Sequence, residues 1–334
     1  MVKLIENEIM KTFYKKRIHV IAVILMVLIS LFAYGENYTL TKTQDRVAEQ
    51  LGIENTDDWK NIIGQQLIDL ERRLDNPYIP DEGKASIRVR AEQLRFYLEN
   101  DVSPINSSAA RFMGAFLEQS IFLFLPLLII LLAGDMVSGE MNTGTIKLIL
   151  TRPVKRWRIL MAKLLALSML EMLVIFMMAI FSYAIALVVF GYSGFNEPVI
   201  TGFRVLENRL DTSAVRTIPQ WRYLLMSYSI GYFVAFVIGS LSLMISIMEK
   251  STSASIGIMM STLIGGSFLS LFISDWKITR YLFTVNLNLI SYISGSFQIV
   301  EGLSMIFSTL VLLGWSLGAI VIGFIVFIHK DILA

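Results

Sequence analysis

Residues 134–163 carry the side chains whose types and spacing could do chemistry. The stretch holds six Lys or Arg residues against two acidic residues, and it lies between two strongly apolar runs. Glu140 is followed after three residues by Gly144 and Thr145, and Pro153 comes later. The chain has no H-E-x-x-H, G-x-S-x-G or G-x-x-x-x-G-K-[ST] sequence, so the signatures of a zinc protease, a serine hydrolase and a P-loop ATPase are absent.

The order of these residues predicts an elbow between two membrane helices. We expect the preceding helix to continue through residues 134–140 and the chain to turn sharply at Gly144, because glycine tolerates that backbone. Ile146 and Ile149 then give a short helix an apolar face, and Pro153 ends it. A signal for membrane topology needs only the basic residues. The additional features favour a segment that takes up force from a soluble partner.

The composition predicts the kind of elements that position this elbow. Apolar residues make up 55% of the chain and charged residues 17%, against about 45–50% and 25% in globular domains. Runs of 18 or more apolar residues predict transmembrane helices. The formal net charge of +2 gives no indication of a nucleic-acid partner, and the chain has no cysteine for a disulfide or a thiolate metal site. His19 and His329 fall at membrane edges, so we expect no metal site.

We predict an all-α integral membrane protein with six transmembrane helices and an α-helical hairpin between helices 1 and 2. Basic residues at both termini and in 134–163 put those segments in the cytoplasm of a bacterial cell, by the positive-inside rule. The predicted order is an interface helix 1–17, span one 18–35, an extracytoplasmic helical domain 36–111, span two 112–133, the cytosolic loop 134–163, span three 164–192, an extracytoplasmic loop 193–222, span four 223–248, a cytosolic turn 249–254, span five 255–273, an extracytoplasmic re-entrant segment 274–302, span six 303–328 and a cytosolic tail 329–334.

Two apolar stripes predict the extracytoplasmic hairpin. They consist of Ile63, Leu67, Leu70 and Leu74, and of Ile87, Ala91, Leu94 and Leu98. Their matched spacings of about one helical turn favour two antiparallel helices that pack against each other across the Pro-rich turn 76–80. The stripes could instead bind a partner protein.

Residues 2–17 predict an amphipathic helix on the inner membrane surface. Ile5, Ile9 and Phe13 share one face, and Glu8 lies in the same helix. We expect its lysines to lie near anionic lipid headgroups. The alternative is a basic flank that only sets the topology.

Glu140, Gly144 and Thr145, with Pro153 and the basic residues Arg156 and Lys163, resemble the signature loop of type-2 ATP-binding-cassette (ABC) permeases. The resemblance implies that 134–163 is a coupling helix that binds a soluble ABC ATPase subunit. It also implies two copies of that ATPase, a second permease copy or a sister permease, and contact with membrane lipids. The chain itself would hold no cofactor, because ATP and Mg would bind to the ATPase.

The function implied is the membrane subunit of an exporter without an enzyme activity of its own. A peptide is the first expectation for the exported molecule, and a lipid or an antibiotic is the second. Glu171 is an ionisable residue within span three, either charged or protonated, and we expect it to serve a polar contact or gating. The rival functions are a membrane-embedded enzyme, and a mechanotransmission or sensor module that works through the extracytoplasmic hairpin without transport.

Overall fold

The computed structural model describes residues 1–52, 58–105, 107–146, 154–206, 209–272, 276–295 and 303–329. Most of these residues are helical. The helices are α1 (Val2–Tyr14), α2 (Arg17–Leu51), α3 (Trp59–Leu74), α4 (Asp81–Glu99), α5 (Ala109–Ser120), α6 (Phe124–Ala133), α7 (Ser138–Asn142), α8 (Arg156–Phe190), α9 (Gln220–Met248), α10 (Thr252–Phe272), α11 (Ser291–Ser294) and α12 (Met305–His329). Two 3-10 turns cover Lys277–Tyr281 and Thr284–Asn286.

Within these residues, six helical segments are long and apolar enough to cross a membrane. They are Arg17–Leu51, Phe124–Asn142, Arg156–Phe190, Gln220–Met248, Thr252–Leu269 and Met305–His329. A span of about 30 Å of hydrocarbon needs roughly 20 residues at 1.5 Å per residue. The chain is therefore a mostly helical, multi-pass membrane protein.

The second span differs from the predicted 112–133. The candidate segment is Phe124–Asn142, and a separate helix, α5, precedes it. Pro126 is the third residue of α6, so it has no N–H to continue a helical ladder from α5, and its ring would clash with the carbonyl of Phe122. This proline explains why an apolar run that looks continuous in the sequence forms two helices.

Helix α2 is also longer than predicted. It runs 35 residues without a break and ends at Leu51, whereas the predicted span ended at residue 35. Residues 36–51 are polar but contain good helix formers, and Thr39 and Thr43 donate hydrogen bonds to carbonyls of the preceding turn. The helix therefore extends well past the apolar segment.

Residues 198–206 and 209–219 contain four short strands where only an extracytoplasmic loop was predicted. Strand β1 (Pro198–Thr201) pairs antiparallel with β4 (Arg216–Pro219), and β2 (Arg204–Leu206) pairs antiparallel with β3 (Arg209–Asp211). β-branched residues dominate β1, which favours an extended backbone. The fold is thus mostly helical with a small β region.

Helices α3 and α4 pack against each other and contribute Ile63, Ala91 and Leu94 as fully buried members of the predicted stripes. They do not stand apart from the rest of the chain. Helix α4 contacts β3, and the rings of Phe96 and Phe203 meet edge to face with centroids 5.4 Å apart. We call the end of the helix bundle that carries α3, α4 and the strands the hairpin end.

The opposite end carries α1, α7, the first turns of α8 and the last turn of α12, and we call it the basic end. Arg156 at the start of α8 donates a hydrogen bond of 3.0 Å to the carbonyl of Ile328 near the end of α12. Helix α9 lies at the centre of the bundle, because it contacts α5, α6, α8, α10 and α12. The main apolar core is built around it.

Candidate functional site

Four charged side chains from three helices form a buried cluster at the basic end, which we call the ion cluster: Glu8 and Lys11 of α1, Glu140 of α7 and Lys163 of α8. Lys163 Nζ lies 2.7 Å from Glu8 Oε2 and 2.8 Å from Glu140 Oε1. Lys11 Nζ lies 2.7 Å from Glu8 Oε1 and 2.9 Å from Glu140 Oε1. The formal charges cancel, since two carboxylates face two ammonium groups.

Three members of the ion cluster are shielded from bulk water, and the side chain of Lys11 is 34% exposed. Lys163 is 0% exposed, and its ammonium group also donates a hydrogen bond of 3.0 Å to the carbonyl of Met136. Burial alone would raise the pKa of the Glu8 carboxyl, but Lys163 and Lys11 hold that pKa below its ordinary value. Burial would likewise lower the pKa of Lys11, but its hydrogen bonds to Glu8 and Glu140 raise it. These contacts therefore stabilise Glu8 and Lys11 in their charged forms.

A second charged contact lies beside the ion cluster, where the backbone breaks between α6 and α7. Asp135 occupies this break, and its carboxylate lies 2.8 Å from Lys15 Nζ and 2.6 Å from Arg17 Nη2. Thr252 of α10 donates a hydrogen bond of 2.9 Å to the other carboxylate oxygen. Asp135 thus joins the α1–α2 region to α10.

Ser246 of α9 supplies the hydrogen bonds that the broken helix lacks. Its hydroxyl donates to the carbonyl of Gly134 at 2.9 Å and accepts from the backbone N–H groups of Val137 and Ser138 at 3.1 and 3.0 Å. A buried backbone group without a partner is costly. Ser246 therefore stabilises the break in a defined geometry.

This geometry corrects the predicted helix through residues 134–140. The backbone leaves the helix after Ala133 and resumes it at Ser138. The physical reason is that Lys163 takes the Met136 carbonyl and Ser246 takes the Gly134 carbonyl, so neither depends on a helical ladder.

The predicted loop 134–163 is also shorter than expected at its C-terminal side. Helix α8 begins at Arg156, so Lys163 lies two turns inside a membrane helix and not in a cytosolic loop. Apolar residues continue along α8 on both sides of Lys163, and its two carboxylate partners permit the charge to be buried there.

The predicted turn residues lie at the surface of the basic end. Gly144 has a φ of +71°, which is the left-handed backbone that glycine favours, and Thr145 is exposed. Ile146 is 3% exposed and packs in the main core. Ile149 and Pro153 lie outside the described residues. Because Ile146 is covered by this chain, it does not offer an apolar face to a partner.

Helix α1 packs on the bundle through the residues that were predicted to face the membrane. Ile5 and Ile9 contact the main core, whereas Phe13 is 39% exposed and meets the His19 ring edge to face. Lys11 and Lys15 form ion pairs within the chain and remain partly exposed, and their position near lipid headgroups stays a prediction. Their partners in these ion pairs are the carboxylates of Glu8, Glu140 and Asp135.

Glu171 is fully buried in α8, and neither carboxylate oxygen has a hydrogen-bond partner among the described residues. It packs against Gly239 of α9, where a Cβ atom would lie 1.7 Å from Glu171 Oε1. Gly239 therefore makes room for this side chain. The sequence suggested a polar contact or gating for Glu171, and both roles remain predictions.

Sequence reasoning missed Asp135 and Ser246 as parts of this site. A lone Asp after a long apolar run was the available signal for Asp135, but nothing in the sequence marks one of the many serines in α9. The described residues contain no group of three or more His, Cys, Asp or Glu side chains placed to hold a metal ion. The arrangement is a junction of charged and hydroxyl groups that joins α1, α7, α8, α9 and α10.

Two proteins of Bacillus subtilis (strain 168) are similar to this chain. An uncharacterised protein, YhcI, is 24% identical over 292 residues, which cover 84% of this chain and 86% of that protein. An uncharacterised membrane protein, YdbK, is 25% identical over 217 residues, which cover 64% of this chain and 80% of that protein.

These comparisons correct the family expected from the 134–163 motif. The matching family is described as a protein of unknown function, DUF2705, and it covers residues 84–333. The described relatives carry no designation as ABC permeases. The assignment to type-2 ABC permeases is therefore wrong, and the chain belongs to the family DUF2705.

Proposed function

We propose that this chain is the membrane-spanning subunit of an exporter that moves an amphipathic peptide, antibiotic or lipid out of a bacterial cell. A separate soluble ATPase would supply the energy at the basic end, since the chain has no ATP-binding motif of its own. ATP and Mg would bind to that partner. Both termini would then lie in the cytoplasm, as the basic residues at this end suggest.

The ion cluster is the observation that carries this proposal. It joins α1, α7 and α8 through contacts of 2.7–2.9 Å between side chains that are mostly buried. Breaking one partner of such a pair costs about 3–5 kcal/mol, so the three elements move together. The exposed residues 143–145 follow α7 directly. A push on them would therefore reach α8, which crosses the membrane.

The experiment measures ATP hydrolysis that purifies with the chain. The tagged protein is extracted from its native membrane, and the bound ATPase is identified by mass spectrometry and by turnover. Thr145→Arg places a long charged side chain among the exposed residues 143–145, where we propose that the ATPase binds. We expect at least a tenfold loss of co-purified ATP hydrolysis. Thr41→Arg, an exposed position in α2, is the matched control. Absence of any co-purified ATPase with the unaltered chain would refute the proposal.

A sensor module is the second candidate, and one contact favours it. Gln93 of α4 is 6% exposed and donates a hydrogen bond of 2.7 Å to the carbonyl of Gly295, just after α11. Leu210 N–H in β3 donates to Glu92 of the same helix at 2.9 Å. A partner that moves α4 would thus also move the end of α11. In that case Gln93→Ala should abolish signalling, with no ATPase bound to the chain.

A further inference from the structure

An apolar groove of about 660 Å³ runs along the outside of the bundle between α9 and α12. We call it the α9–α12 groove. Its walls are Leu241 and Met244 of α9, residues of α12 from Phe307 to Ile322, and Tyr281 of the first 3-10 turn. Gly314 and Gly318 of α12 leave it open, because nothing lies within 4 Å of a Cβ built on either glycine.

The groove is long, and an aromatic pair marks its hairpin end. Fifteen residues separate Phe307 from Ile322, which at 1.5 Å per residue is about 22 Å along α12. The groove is therefore longer than half of the hydrocarbon thickness, which is about 15 Å. At the hairpin end, the rings of Tyr281 and Phe307 meet with centroids 5.6 Å apart. An extended chain that enters at this end would fit the groove along its length.

The lining offers a peptide almost no side-chain groups for hydrogen bonds. Its only polar side-chain atoms belong to Tyr281 and Trp315, and the indole N–H of Trp315 already donates to the Tyr281 carbonyl at 2.8 Å. A peptide backbone in this position would leave its N–H and C=O groups without partners, at a cost of several kcal/mol each. An alkyl chain has no such groups, so the lining favours an alkyl chain over a peptide.

The mouth of the groove carries positive charge. Lys277 and Arg280 belong to the same 3-10 turn as Tyr281. Trp276 and Tyr281 are 64% and 58% exposed, as aromatic side chains are at the headgroup level of a membrane. Neither Lys277 nor Arg280 forms an ion pair within the part of the chain that the structure describes. From 252 to 329 the acidic residues are Asp275 and Glu301, at positions outside the described residues.

We propose that the α9–α12 groove binds one alkyl chain of an anionic membrane lipid, with the headgroup beside Lys277 and Arg280. If the chain is an exporter as proposed above, this lipid class is its cargo, and only that last step rests on the proposed function. Binding itself follows from the groove and the two basic side chains.

The experiment uses brominated lipids, which quench tryptophan fluorescence on contact. A full-length protein keeps Trp315 as its only tryptophan after replacement of four others by Phe: Trp59, Trp157, Trp221 and Trp276. It is placed in vesicles with equal fractions of brominated phosphatidylglycerol or brominated phosphatidylcholine. We expect the anionic lipid to bind at Trp315 at least threefold more strongly. Equal binding of the two lipids would overturn the proposal.

Two variants test the two halves of the site separately. Gly318→Leu fills the groove, and leucine is a good helix former, so the preference should fall to about one while the helix stays folded. Lys277→Gln with Arg280→Gln should also remove the preference, since no cation remains for the headgroup. Gly265→Leu, at an equally open glycine of α10, is the control and should keep the threefold ratio. An unchanged ratio in Gly318→Leu would overturn the groove as the binding site.

The other occupant of such a groove is a helix of a second copy, because small residues four apart favour helix contacts in membranes. The chain has no cysteine, so Val311→Cys introduces a single thiol in the groove. Efficient disulfide dimers of Val311→Cys would mean that protein covers the groove and would overturn the lipid proposal. If the protein shows no lipid preference but still binds an ATPase, the lipid proposal is refuted and the exporter proposal is not. If the protein keeps the lipid preference but binds no ATPase, only the ATP-driven exporter is refuted.

Discussion

Lys163 and Glu8 are separated by 155 positions in the chain, yet Lys163 Nζ and Glu8 Oε2 lie 2.7 Å apart in the interior of the basic end. The contact joins the N-terminal helix to a membrane helix. Burial strengthens the attraction between the two charges, because the protein interior screens them less than water does. It also removes each charge from water at a cost, which is offset only when every charge has partners. Four side chains therefore have to be considered as one unit.

Lys163→Met tests whether the ion cluster stabilises the fold. The substitution leaves the Glu8 and Glu140 carboxylates buried with only Lys11 between them, so we expect a loss of about 3–5 kcal/mol in the free energy of unfolding. Thermal or denaturant unfolding in detergent micelles measures it. Lys155→Met, at an exposed position just before α8, is the control and should change stability by less than about 0.5 kcal/mol. Equal losses in the two variants would show that the ion cluster contributes no more to the free energy of unfolding than an exposed lysine does.

The lowered pKa of Glu8 predicts loss of stability in acid. Burial opposes the charged carboxylate, but Lys163 and Lys11 lower its pKa below 4.5. A depressed pKa in the folded state contributes stability that is complete above the unfolded value and is lost as the pH falls below about 4.5. Glu8→Gln should therefore show a shallower acid transition than the unaltered protein. Unfolding followed between pH 7 and pH 3 measures this, and identical acid transitions would contradict it.

Ser246→Ala tests the backbone break between α6 and α7. Alanine leaves the N–H groups of Val137 and Ser138 without their acceptor, and the Gly134 carbonyl keeps only the hydrogen bond from the Ser138 hydroxyl. The loss should cost about 1–3 kcal/mol. Ser229→Ala lies on the same helix, where the serine hydroxyl bonds only to the carbonyl of Leu225 in its own turn. That control should cost less than about 0.5 kcal/mol. If both variants unfold at the same denaturant concentration, Ser246 does not stabilise the break.

Gly239→Ala tests the close approach of α8 and α9 at Glu171. The new methyl group would meet Glu171 Oε1, and the buried side chain has no route to solvent, so we expect a loss of about 1–3 kcal/mol. Glu171→Ala removes the obstacle, and the double variant should recover most of the loss. Additive effects in this double-mutant cycle would show that the two residues do not interact. Gly265→Ala, with open space around it, is the neutral control.

The hydrophobic pattern alone determined the class of this protein. Runs of about 20 apolar residues have to be helical in a bilayer, because every backbone polar group needs a partner there. The predicted ends of spans four, five and six, at 223–248, 255–273 and 303–328, fall within about three residues of α9, α10 and α12. Local rules also account for Asp58, which caps α3 by accepting a hydrogen bond from the N–H of Lys60.

Tertiary structure decided the rest, since it depends on groups far apart in the chain. The Glu140 motif pointed to an exposed partner site, but the carboxylate turns inward because Lys11 and Lys163 are there to meet it. The break at Gly134 needs Ser246, which lies 112 positions away, and no local pattern predicts that hydrogen bond. The α9–α12 groove arises only where two helices from different parts of the sequence pack. Buried charges and buried backbone groups outside a helix are costly unless they have partners. Here those partners lie far away in the chain, so local sequence patterns do not reveal them.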